Sequence, residues 1–183
     1  MKGAEGVYFR HEDYAPFWVR VLVDVLDFLV FGALCVALIV PLLMVFPSGR
    51  STARAIFLTW GVIAFLYFAV LKRSSFRTLG YRAGRVRIVG LDGRRPSYWS
   101  LIVRFMFGML GPLNWPIDLI WLTNDVHRQA LRDKFANTYV VRATAQSGGV
   151  GRIVFRQYDI LFYNFLFREV EIGPEPDHLG MRQ

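Results

Sequence analysis

Three charged residues near the start of the chain, Arg20, Asp24 and Asp27, are spaced four and three apart, which puts them on one face of any helix that carries them. Such a set can do two kinds of chemistry. Fork-shaped arginine–carboxylate pairs fasten neighbouring helices, and a lone carboxylate takes and releases a proton or a metal cation. Arg104 and Asp118 extend the set, because both fall inside a later apolar stretch, with Asn114 four residues before Asp118. Within the first group an Arg20–Asp24 pair is available. Asp27 then needs another cation, and Arg104 is the first candidate. An unpaired charge at mid-bilayer costs about 2.5–3.5 kcal/mol, less near the edge, so the charges must pair or line a polar cavity. Clamping between helices is the leading reading. Asp27 or Asp118 as an ion-binding carboxylate is the alternative.

Other chemistry lacks a residue set. The three histidines, His11, His127 and His178, are far apart, and none accompanies the single cysteine, Cys35, at ligand spacing. No GxSxG or HExxH occurs, and the glycines at 148–151 lack any phosphate-binding pattern. The expectation is a protein that is not an enzyme and takes no cofactor or metal, with Cys35 as a packing residue.

The elements that must position these charges are apolar. Of 183 residues 54% are hydrophobic and only 20% charged, which excludes a disordered chain. Residues 28–46 are uncharged over about 28 Å of helix, close to the thickness of a bilayer's hydrocarbon core. An aromatic cluster, Phe17-Trp18-Val19, extends the helix upstream, and Pro47-Ser48-Gly49 stops it. A cleaved signal peptide is the competing reading. Acidic residues before the run and the lack of a small-residue cleavage site argue against it. Residues 55–71 form a second uncharged run, so the two make an antiparallel hairpin. The third region, 100–124, is broken by Gly108, Gly111, Pro112 and Pro116, and reads as one tilted span or a pair of half-helices.

Charge sets the sidedness. Net charge is +8, and 19 of the 22 basic residues are arginine. The loop 72–99 holds eight basic residues against the lone Asp92, which places it in the cytoplasm together with the N-terminus. A compact group, Arg128, Arg132 and Lys134, favours a re-entrant third element that leaves the tail inside as well. Arg82, Arg85, Arg87, Arg94 and Arg95 are expected to meet anionic lipid headgroups rather than nucleic acid. Residues 85–98, with Asp92-Gly93 at the turn, read as a β-hairpin, to which Thr138-Tyr139-Val140-Val141 could add a strand. After a flexible joint at 148–151, the aromatic stretch 153–172 is too short to span. It is expected to form an interfacial or partner-docking helix through Tyr158, Leu161, Phe162, Phe165 and Leu166, with a strand as the alternative.

Several motifs together resemble the RDD family of prokaryotic membrane proteins. They are Phe17-Trp18-Val19-Arg20 with Asp27 seven residues on, Thr78-Leu79-Gly80, Asp92-Gly93, Arg104, and the segment from Arg128 through Asp133 to Val141. The resemblance covers roughly residues 14–143. It implies that Arg20, Asp27 and Asp133 are the residues that name the family, and it invites a pairing of Arg20 with Asp133. Tyr81 stands where the family usually has a basic residue, and Asn137 where it has glycine.

The expected fold is an all-α integral membrane protein. It has two helices in a hairpin (about 16–46 and 55–71), a broken or re-entrant third element (about 100–124) and a small cytoplasmic β-hairpin. Residues 1–143 form the membrane domain and 144–183 the appended tail. The expected role is that of an accessory or scaffolding subunit in a bacterial inner-membrane complex. A proton- or sodium-coupled transport element, working as an oligomer, is the alternative.

Overall fold

The computed structural model describes residues 5–46, 49–109, 114–125, 127–160 and 163–171. Pro16 enters in an extended conformation (φ −69°, ψ 160°), and Phe17–Val45 follow as helix α1, about 43 Å long. Helix α2, Arg50–Phe65, continues through Leu66–Leu71 in wider π-type turns. Pro47 and Ser48, the expected breakers, lie outside the described residues. Both helices are long and apolar enough to cross a membrane, yet only 6% and 17% of their apolar windows are buried. A core helix of a soluble protein would hide such surface, whereas Leu29, Val36, Phe57 and Leu58 face outward. The first turns of α1, by contrast, bury Arg20, Val23, Asp24 and Asp27. A removable leader would take these contacts with it, so α1 is an integral part of the fold.

The third apolar region is two short helices, α4 at Tyr98–Met109 and α5 at Asn114–Asn124. At about 18 and 16 Å neither is long enough to span a bilayer. Gly111 and Pro112 lie outside the described residues. Pro116 sits in the first turn of α5, where a missing N–H removes no helical bond. Both helices pack against a third, the six-residue Leu131–Ala136, so the two halves of this region meet on one short helix.

The strands correct the all-α expectation. Val86–Gly90 forms β2, but it pairs antiparallel with β3, Thr138–Arg142, and not with residues 94–98. The Asp92-Gly93 turn does form, closed by Gly90 N–H donating to the Arg94 carbonyl at 2.9 Å. No hairpin strand follows it, because Pro96 has no donor and Ser97 caps α4, its hydroxyl accepting the Ser100 N–H at 3.0 Å.

The tail is also extended rather than helical. Gly149–Ile160 (β4) and Tyr163–Glu171 (β5) are an antiparallel hairpin, and β4 pairs on its other edge with β1, Glu5–Tyr8. The expected joint at 148–151 is therefore part of a ladder. Gly151 faces the Glu171 carbonyl and Val170, where a β-carbon would clash. Phe9, Tyr14, Val89, Tyr139 and Val170 join the two sheets in one core. Val23, Tyr81, Val86, Leu101 and Val140 form a second core that fastens the sheet to α1 and α4. The protein is thus a helical hairpin with exposed apolar flanks, standing on a mixed helix–strand base.

Candidate functional site

Three consecutive charged residues, Arg132, Asp133 and Lys134, occupy the middle of the short helix Leu131–Ala136, called α6. Successive residues on a helix point about 100° apart, so the three side chains fan out toward different elements. Each one finds opposite charge.

Asp133, fully buried, takes Arg20 from α1 on one oxygen and Arg104 from α4 on the other. It also accepts the Ala130 N–H at 3.2 Å, capping its own helix. Arg104 donates further to the Thr138 hydroxyl at 2.8 Å. Arg132 pairs with Asp24 of α1 and with Asp118 of α5, the latter at 3.0 Å. The Arg132 backbone N–H also donates to Asp118 at 2.7 Å. Lys134 turns the third way, to Asp125 at the end of α5 and Glu169 on β5. Burial alone would raise the Asp133 carboxyl, but the guanidinium groups of Arg104 and Arg20 outweigh it and hold the group down at about 2. Burial likewise opposes the charge on Lys134, yet Asp125 and Glu169 hold its ammonium above its ordinary range.

Asp27 is served separately. Lys72, at the end of the second long helix, approaches to 3.3 Å. The Tyr67 hydroxyl donates at 3.1 Å, the Thr78 hydroxyl at 2.9 Å and the Gly80 N–H at 2.9 Å. Thr78 and Gly80 belong to the turn that opens helix α3, Leu79–Ala83. Gly80 lies so close to α1 that a β-carbon there would fall 2.6 Å from an Asp27 oxygen. The Thr-Leu-Gly motif is therefore a cradle for this one carboxylate.

Two sequence expectations need correction. Arg20 does not pair with Asp24 in its own helix, since Asp133 claims it. Arg104 is not the partner of Asp27, since it reaches the same Asp133. The Arg20–Asp133 pair suggested by the resemblance does form. Arg132, Lys134, Lys72 and the Thr78–Gly80 turn were missed as members of the network. The i,i+3 and i,i+4 rules connect residues within one helix, and here nearly every link runs between elements.

Four carboxylates (Asp24, Asp27, Asp118, Asp133) thus meet four cations (Arg20, Lys72, Arg104, Arg132). The carboxylates are all but buried, and no cation side chain is more than 13% exposed. A small cavity of about 50 Å³ adjoins the network, walled by Asp24, Lys72, Arg104 and Arg132 with Phe28, Phe68 and Phe105. Among the described residues, no group of three or more His, Cys, Asp or Glu side chains is placed to hold a metal ion.

The expected docking set divides by strand alternation. Tyr158 and Phe165 face inward: the Tyr158 hydroxyl donates to Glu169 at 2.6 Å, its ring meets Trp121, and Phe165 packs on Phe135. Leu166 faces outward beside Phe155, both about two-thirds exposed. Leu161 and Phe162 lie outside the described residues. Of the arginines expected at the lipid surface, Arg82, Arg85, Arg94 and Arg95 are exposed and Arg87 half-buried.

The RDD family model matches residues 14–137, the segment that holds both the Asp133 hub and the Asp27 cradle. The uncharacterized membrane protein YteJ of Bacillus subtilis (strain 168) is 29% identical over 151 residues, covering 77% of this chain and 88% of the relative. No solved structure matches the chain. The chain is a membrane protein and belongs to the RDD family.

Proposed function

We propose that this protein is a non-enzymatic building block of a larger assembly in a bacterial inner membrane, held in shape by its buried charges. The observation that carries the reading is the one-to-one balance of the network. Four carboxylates and four cations are matched between α1, the second long helix, α4, α5 and α6, so no water-filled route is required to keep them. The α1 start and the α2 end share a face through the Asp27–Lys72 pair. The positive-inside bias of its arginine loop supports a cytoplasmic orientation for that shared face. The outward side of the β4–β5 hairpin, with Phe155 and Leu166, is the surface offered to a neighbouring subunit.

The transport alternative is less well supported. Asp24, the one carboxylate on the wall of the adjoining cavity, is already paired with Arg132, so a sodium ion or a proton would have to displace a guanidinium to bind there. The two readings separate in one pair of assays. Phe155→Ser with Leu166→Ser should release the full-length protein from its membrane partners in mild detergent, without loss of fold. Vesicles containing the purified protein should show no proton or sodium flux. Partners retained by the double variant would overturn the docking role. Flux that disappears in Asp118→Asn would overturn the passive role.

A further inference from the structure

Two adjoining cavities flank β2, and no acidic side chain lines either of them. The larger, about 530 Å³, is walled by Arg77, Arg82, Arg85 and Arg142, with Pro16 and Val19 from the start of α1. The smaller, about 280 Å³, is walled by Lys72, Arg73, Arg77, Arg87, Arg94 and Arg95. Arg77 belongs to both. Lys72 is committed to Asp27, but among the described residues no carboxylate forms an ion pair with any of the eight arginines. Gathering so many like charges without counter-charge is unfavourable unless an anion joins them.

Several of the arginines are already held in place. Arg73 donates to the Pro96 carbonyl at 2.9 Å and stacks on Tyr98. Arg77 donates to the Val86 carbonyl at 3.0 Å, and Arg87 to the Ala145 carbonyl at 2.8 Å. The Arg87 Nε is buried without a hydrogen-bond partner on the wall of the smaller cavity, a donor left for a ligand. Arg77 and Arg85 both have left-handed backbones, at φ 54° and 50°, a conformation uncommon in arginine that is kept where the surroundings impose it. Both cavities sit where the apolar helices end, at Pro16–Val19 and at Lys72–Arg73. That is the level at which a bilayer presents its phosphates.

We propose that the two cavities together bind one anion bearing two phosphate groups, with Arg77 shared between them. Guanidinium forks suit phosphate oxygens, and two basic cavities joined by one arginine suit a headgroup with two phosphates better than one with a single charge. The bilayer is the nearer source, in the form of a lipid of the cardiolipin type, and a soluble diphosphate would offer the same chemistry. The inference rests on membrane embedding and is independent of the scaffolding role, since lipid can bind whether or not a subunit docks.

The test is native mass spectrometry of the full-length protein in a nonionic detergent. It is incubated with cardiolipin, with twice the molar amount of phosphatidylglycerol, or with inorganic pyrophosphate. Arg82→Gln/Arg142→Gln and Arg94→Gln/Arg95→Gln are the variants, because these exposed side chains support no described core contact and the protein should keep its unfolding temperature. Retention of cardiolipin about tenfold above phosphatidylglycerol is expected, falling about fivefold for each arginine removed. Displacement of the lipid by pyrophosphate, with the same arginine dependence, would support the two-phosphate site and assign it a soluble ligand. Equal retention of the two lipids without pyrophosphate binding would overturn the proposal, as would variants that bind like the wild type.

Discussion

Asp133 is buried between two guanidinium groups, and its ionisation is part of what holds the protein together. Its pKa is lowered in the folded state to about 2 from an ordinary 3.8. The stabilisation is therefore fully present above about pH 4 and is lost as the pH falls toward 2, on the order of 2 kcal/mol in all. Acid titration followed by tryptophan fluorescence in detergent should show the main loss of folded protein in that interval. Stability that stays flat from pH 5 to 2 would contradict it. Gly80 is a second residue with a defined cost. A methyl group there meets the Val23 carbonyl and the Asp27 carboxylate, so Gly80→Ala should lower stability by roughly 1–3 kcal/mol, measured by thermal unfolding. Some of this was readable in the sequence. Asn137, where the resemblance leads one to expect glycine, ends α6 with φ 54°, a left-handed cap that asparagine adopts more readily than most side chains. Of the Asp133 environment only the Arg20 pair is legible, through the family resemblance; Arg104, 29 residues away and on another helix, is not.

The long helices were legible as elements, since uncharged runs of bilayer length carry their own physical meaning. Strand pairing was legible in part: residues 138–141 were expected to add a strand and do pair with β2, whereas the local partner at 94–98 does not form. The turn at Asp92-Gly93 is real, yet β2 takes its partner from residues 138–142, and local turn chemistry does not specify a distant strand. The aromatic tail takes the alternative reading, a strand: 153–172 is apolar almost all round as a helix, while alternation in a strand sorts Phe155 and Leu166 outward and Phe167 and Glu169 inward. Charge counting was weakened for a related reason: Arg132 and Lys134 are consumed by buried acids and do not face headgroups. The β2–β3 pairing has a direct check. In a Cys35→Ser background, Ile88→Cys with Val140→Cys should form a disulfide on mild oxidation, because the two are cross-strand partners. Ile88→Cys with Arg95→Cys should not, and the reverse result would restore the local hairpin.

At the scale of the whole molecule, one short helix ties three systems together. Asp133 draws in α1 and α4, Arg132 draws in α1 and α5, and Lys134 anchors the β5 strand. The base of the membrane hairpin and the appended sheet are thus fastened at a single point, by charges whose sum is close to zero. Removing one charge from such a cluster leaves buried cations without a partner, at about 3–5 kcal/mol. For a chain of this size that amounts to roughly 10 °C in unfolding temperature. The decisive measurement is thermal unfolding of Asp133→Asn beside the wild type, in the same detergent at neutral pH. A fall of roughly 10 °C or more is expected, and an unfolding temperature within about 2 °C of the wild type would contradict the view that paired charges hold this protein together.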